Sequence, residues 1–125
     1  HRITQVEGSS KAFKGGMVVY SNEAKVDQLQ ISQEFLDKFG AVSQEVALEM
    51  AKNVRDVFSS DIGVSVTGIA GPGGGTDNKP VGLVYVGYSN SKAVDTYQFN
   101  FHSNRHTNKI RTSQSVFNQI LKNIN

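Results

Sequence analysis

The sequence predicts an α/β chain in which helices cover a mixed β-sheet. Two patterns lead there. Apolar residues alternate with small or polar ones in four short runs, the period of a strand, and recur every three or four positions in the stretches around them, the period of a helix. The order strand, helices, strand, strand, strand, helix then combines crossover connections with one hairpin, which a mixed sheet accommodates. With 125 residues, 38% of them hydrophobic, the chain is long enough for one domain with its own core, expected over residues 1–125.

Phe13–Tyr20 is the first predicted strand, and Gly15 and Gly16 inside it mark a bulge or a close backbone approach. Ser21 or Asn22 caps a helix carrying Ala24, Val26 and Leu29, with Glu23 in the first turn, where a carboxylate suits the helix dipole. Ser32–Phe39 is a second helix, stopped by Gly40 as a left-handed cap. Ser43 caps a longer helix to about Phe58, since Val46, Ala47, Met50, Ala51, Val54, Val57 and Phe58 fall on one face. That face must meet a sheet. Ile62, Val64 and Val66 alternate with small residues through Thr67, giving a strand buried on at least one face. The glycine-dense run Thr67–Thr76 leaves it as a loop. Val81–Tyr88 and Val94–Phe101 pair as an antiparallel hairpin across Ser89–Lys92, and an amphipathic helix runs from about His106 to Ile124.

Composition removes whole classes of function. Thirteen Lys and Arg against eleven Asp and Glu leave a formal charge of +2, too small to argue for nucleic acid. The absence of cysteine excludes a disulfide scaffold, a thiolate metal site and a cysteine nucleophile within these residues. Apolar stretches such as Met17–Tyr20 are only a few residues long, so no membrane span or signal peptide is expected, and the protein is placed in the cytoplasm. His102 and His106 have no carboxylate beside them, so neither a metal nor a cofactor is expected.

Three places carry chemistry. The loop from Thr67 to Thr76 offers backbone amides with little side-chain bulk, suited either to cradling a phosphate or oxyanion or simply to turning the chain. It is neither of the common nucleotide loops, because no glycine stands immediately before Lys79 and no G-x-G-x-x-G opens a helix. Lys25 falls in the first turn of a helix, where the dipole opposes an ammonium and favours loss of its proton. It reads either as a general base or as a solvated surface lysine, and Tyr20 either points its hydroxyl at the same spot or packs. Arg105, near the start of the last helix, is either an anion fork or a surface arginine.

Taken in order, Gly8-Ser9-Ser10, Phe13-Lys14-Gly15-Gly16, Tyr20-Ser21-Asn22-Glu23-Ala24-Lys25, Gly40-Ala41-Val42-Ser43, Thr67-Gly68-Ile69-Ala70-Gly71-Pro72-Gly73-Gly74 and Lys79-Pro80-Val81-Gly82 resemble the C-terminal domain of the CinA family (competence and damage-inducible protein A). The blocks span nearly the whole chain. The resemblance implies a three-layer α/β/α sandwich and an amidohydrolase that converts nicotinamide mononucleotide to the acid with release of ammonia. It implies a serine nucleophile activated by a lysine matching Lys25, with Tyr20 in the same block. By position and chemistry, the amides of Thr67, Gly68 and Gly71 become oxyanion or substrate contacts, and Arg105 a holder of the substrate phosphate.

Two departures accompany the resemblance. The family's nucleophile sits in an E-S-C-T-G-G-like run upstream of the first block, and no such run occurs here. The domain is therefore expected to be incomplete at its N-terminus by roughly a quarter of the family domain, with His1–Thr4 as the tail of the helix after the nucleophile. The family's G-D-R block reads Ser103-Asn104-Arg105, keeping the cation but losing the glycine and the carboxylate. A small-molecule nucleotide substrate is the expected partner, with no nucleic acid, no membrane and a homodimer as the expected assembly. The competing expectation is a non-catalytic nucleotide-binding or protein-interaction module of the same fold. In the family a molybdopterin-binding-like domain commonly precedes this one.

Overall fold

A computed structural model of the chain describes residues 1–124. Four helices and three strands follow one another as α1 (Asn22–Leu29), α2 (Gln33–Phe39), α3 (Gln44–Val57), β1 (Gly63–Gly68), β2 (Leu83–Ser89), β3 (Val94–Asn100) and α4 (Arg105–Ile124). Short 3₁₀ turns at Ile3–Gln5 and Ser9–Lys11 precede them, the first at the stretch expected to be a helix tail. Serine caps form at Ser21 and Ser43, as expected, and also at Ser32, which caps the second helix instead of opening it: they accept hydrogen bonds from the amides of Ala24, Val46 and Phe35 at 3.1, 3.2 and 3.1 Å. Each such cap contributes about 1 kcal/mol. Gly40 does end α2 at φ +77°, but its ψ of 149° is extended rather than left-handed. Its carbonyl is committed to the Ser43 hydroxyl at 2.8 Å, which swings the chain directly into the next cap.

The sheet order is β1-β2-β3 and both pairings are antiparallel. The chain is α/β as expected, but among the described residues the sheet is antiparallel throughout and not mixed. A mixed sheet required a fourth strand at Phe13–Tyr20, and that stretch enters no ladder. Its residues still alternate: Val19 is buried in a cluster with Leu29, Ile31, Leu36, Val46 and Met50, while Val18 and Tyr20 are 92% and 83% exposed. The period-two pattern follows the helical layer beneath it, and among the described residues no strand lies alongside to take its backbone hydrogen bonds.

The sheet separates two layers of different character. On one face Gly63, Ser65 and Thr67 of β1 and Gly87 and Ser89 of β2 are all buried, and α3 lies on them. A Cβ built on Gly63 or Gly87 would collide with the backbone carbonyl of Ala51 or Ala47, and the Ser65 hydroxyl donates to the Ala47 carbonyl at 2.6 Å. On the other face Val84, Val86 and Val116 form a core with Val64, Tyr97, Phe99, Phe101 and Ile120, joining the sheet to α4. The helices therefore cover both faces, as an α/β/α sandwich requires. In β1 the roles expected from sequence are inverted. The small residues are the fully buried ones, and Val66 is 42% exposed.

This contact predicts that Gly87→Ala destabilises the protein by about 1–3 kcal/mol through overpacking, read as a lower urea midpoint. A surface control at Gly73, where an added Cβ meets nothing within 4 Å, has a smaller effect on the same measurement.

Candidate active site

Among the described residues the one buried side chain that carries a charge is that of Lys25. Side chains on a helix lean towards its N-terminus, so a lysine in the first turn reaches back past its own cap. Here the Lys25 Nζ donates to the carbonyls of Val19, Tyr20 and Ser21 at 2.9, 3.2 and 3.4 Å. The residue is only 6% exposed, and among the described residues no carboxylate lies within ion-pair distance of it. Burial pushes its pKa below the ordinary 10.5. The cause is desolvation of the charge rather than the dipole alone, and the carbonyls, which favour the ammonium, limit the fall. The reading of Lys25 as a solvated surface lysine is excluded.

Tyr20 meets Lys25 through its carbonyl only. Its hydroxyl makes no hydrogen bond among the described residues, and its ring stands in solvent.

The second group of expected residues gathers where the chain leaves β1. Thr67 has its groups engaged: its hydroxyl donates to the Ala41 carbonyl at 2.6 Å. Its amide faces β2, because the neighbouring hydrogen-bonded position is fixed by Ile69 N–H to Leu83 O at 2.9 Å and such positions alternate along the ladder. Thr67 is thus a structural tie between β1 and the turn before α3. By the same alternation the Gly68 amide points to the open edge of β1. Gly71 sits at φ +90°, a conformation that favours glycine, and its carbonyl accepts from Arg105 at 2.9 Å. The amides of Gly71, Gly73, Gly74 and Gly75 form no hydrogen bond among the described residues.

The glycine loop is held from both helical layers. On one side Lys79 donates to the Phe39 carbonyl at the end of α2, at 3.2 Å. On the other, Arg105 and Asn108 of α4 take the Gly71 and Ala70 carbonyls. Neither Lys79 nor Asn108 was singled out from sequence. Asn108 had only a positional signal, lying about two turns before Val116 and so on the inward face of α4, whereas Lys79 depends on a contact 40 residues away. A largely apolar cleft of about 290 Å³ adjoins the loop at Gly68 and Ala70, walled by Val66, Thr112, Val116 and Phe117. No hydrogen bond or ion pair among the described residues joins Lys25 to Thr67, Gly68, Gly71 or Arg105, so the expected residues are held by two separate sets of hydrogen bonds.

A two-sided α/β sandwich with a glycine loop at a strand end and a buried lysine at a helix start defines the class, and comparison with known proteins gives the family. The chain belongs to the CinA family, matching the CinA C-terminal domain over residues 1–124. A relative from Halothermothrix orenii named for competence-damage induction is 54% identical over 117 residues, covering 93% of this chain and 28% of its own length. A CinA-like protein from Kosmotoga olearia is 52% identical over 118 residues, again 93% of this chain and 28% of that protein. This chain therefore spans less than a third of these relatives. The crystal structure of a competence/damage inducible protein from Agrobacterium tumefaciens superposes with a TM-score of 0.92 at 36% identity, covering 95% of this chain and 73% of that one. One from Enterobacter asburiae gives 0.93 at 28% identity, with 98% and 77% covered.

The lowered pKa of Lys25 has a signed consequence. Between its folded value and 10.5 the unfolded chain binds more protons, so the Lys25 contribution to stability rises with pH across that window. Below the folded value the cost of burying the charge is fully present. In urea titrations from pH 7 to pH 10.5, the stability of the parent protein relative to Lys25→Met therefore increases with pH; parallel profiles would contradict a depressed pKa.

Proposed function

We propose that these residues form the base-carrying and substrate-binding part of an amidohydrolase acting on nicotinamide mononucleotide. The nucleophilic serine comes from a segment outside them. The single observation that carries this reading is the buried, unpaired Lys25 ammonium with its lowered pKa. A neutral amine keeps two N–H groups and gains a lone pair, so loss of one proton frees the amine from its longest contact, Ser21 O at 3.4 Å. The lone pair then takes the serine hydroxyl proton while the serine oxygen bonds to the carboxamide carbon. Loop amides receive the charge that develops on the carboxamide oxygen, with Gly68 and Gly71 the favoured donors. The Lys25 ammonium returns its proton to the leaving nitrogen, the C–N bond breaks and ammonia departs. Water then cleaves the acyl-enzyme to give nicotinate mononucleotide and the free serine. Arg105, with one guanidinium nitrogen on Gly71, has its other nitrogens for the substrate phosphate.

One observation favours a second reading. Three carbonyls satisfy all three ammonium protons, an arrangement that also suits a permanent structural pin in a nucleotide-binding module without catalysis. Ammonia release separates the two. With nicotinamide mononucleotide and the full-length protein, Lys25→Met is expected to lower kcat by about 10²–10⁴-fold, the worth of a general base, while the protein stays folded. A folded parent protein that binds the nucleotide but releases no ammonia would sink the hydrolase reading and leave the binding module.

A further inference from the structure

We propose that Asn108 is a positioning residue for the glycine loop, clamping it together with Arg105 so that the loop amides hold one orientation. The functional weight of this clamp rests on the reading of the loop as an anion-binding element; the clamp itself rests on geometry alone. Asn108 Nδ2 donates to the Ala70 carbonyl at 3.1 Å and to the Ser103 carbonyl at 2.9 Å, and Arg105 donates to Gly71 O at 2.9 Å. Two consecutive carbonyls at the exit of β1 are thereby fixed to the first turns of α4.

The orientation of the Asn108 amide is not ambiguous. Reversing it would bring Oδ1 against two carbonyl oxygens, so the nitrogen must face them. That leaves Oδ1 buried with no partner among the described residues, on a residue only 1% exposed. An orphaned buried acceptor carries a desolvation penalty of its own. What the side chain supplies in return is the pair of donors to Ala70 and Ser103. Those donors act where the loop has little else. Its base is closed by Ile69 with Leu83 and Gly82, and its tip by Thr76 with Lys79. Between base and tip, the carbonyls of Ala70 and Gly71 are its anchors to α4, and the free amides of Gly71, Gly73, Gly74 and Gly75 follow directly from them.

The test is ¹⁵N relaxation of the loop amides in the full-length protein, with ammonia release from nicotinamide mononucleotide read in parallel. Asn108→Leu keeps the shape and removes both donors; Asn108→Ser, too short to reach Ala70, replaces it if the leucine variant does not fold. The expected result is a fall in the backbone order parameters of residues 70, 71 and 73–76 from the rigid value of about 0.85 to below about 0.6, with β1 and α4 unchanged. KM for the nucleotide rises more than kcat falls, because the loop is misplaced rather than the base removed. Unchanged loop order parameters overturn the clamp, as does loosening spread evenly through β1 and α4, which marks a merely structural residue. If the parent protein releases no ammonia, the hydrolase reading fails while the relaxation data still decide the clamp.

Discussion

The close approach of α3 to the sheet is the constraint on which the rest depends. Gly63, Ser65 and Gly87 leave no side-chain bulk between the strands and the Ala47 and Ala51 turns of the helix. Because α3 is seated this low, the turn before it reaches β1, and Ala41 O can accept from Thr67. The end of α2 is carried to the same rim of the sheet, where Phe39 O accepts from Lys79. The glycine loop therefore starts from a fixed strand end and is held by both helical layers. Larger residues at the sheet positions would lift α3 and carry this rim with it.

Against that frame the two functional groups face opposite physical problems. The loop presents amides that need a charge, and its flexibility is curbed by side chains donating to its carbonyls. Lys25 presents a charge that burial penalises, and it is held by carbonyls instead of a carboxylate. A carboxylate partner would have raised its pKa; carbonyl dipoles fix the nitrogen in place while leaving the penalty partly uncompensated. Such a lysine is rigid and easier to deprotonate, the combination that general-base chemistry requires.

Much of this was legible in sequence because it is local. The caps at Ser21 and Ser43 and the stripe on α3 depend on residues three or four apart, and the structure keeps them within a residue or two. The position of Arg105 at the first turn of α4 and the loop made by the glycine-dense run that ends at Thr76 were legible for the same reason. The misreadings are all non-local. Phe13–Tyr20 alternates like a strand, but a strand exists only if another lies beside it. Val64 and Val66 drew attention in β1, yet the partner across the closely packed face is a helix that accepts only small residues. The Thr67 amide was expected among the loop contacts; the ladder turns that amide towards β2, and the hydroxyl goes to a carbonyl 26 positions earlier. Asn108 and Lys79 reach carbonyls 38 and 40 positions away, contacts that no local pattern announces.

The charge state of the Lys25 amine is the most direct test of the account, because both its burial and its proposed chemistry turn on it. NMR titration of lysine side chains in the full-length protein, with Lys25→Met to assign the resonance, reads that state at the atom concerned. The account predicts a Lys25 pKa below the ordinary 10.5, separated from the exposed lysines. A value at or above 10.5 would contradict it, and would make Lys25 a permanent ammonium serving only to hold residues 19–21 against α1.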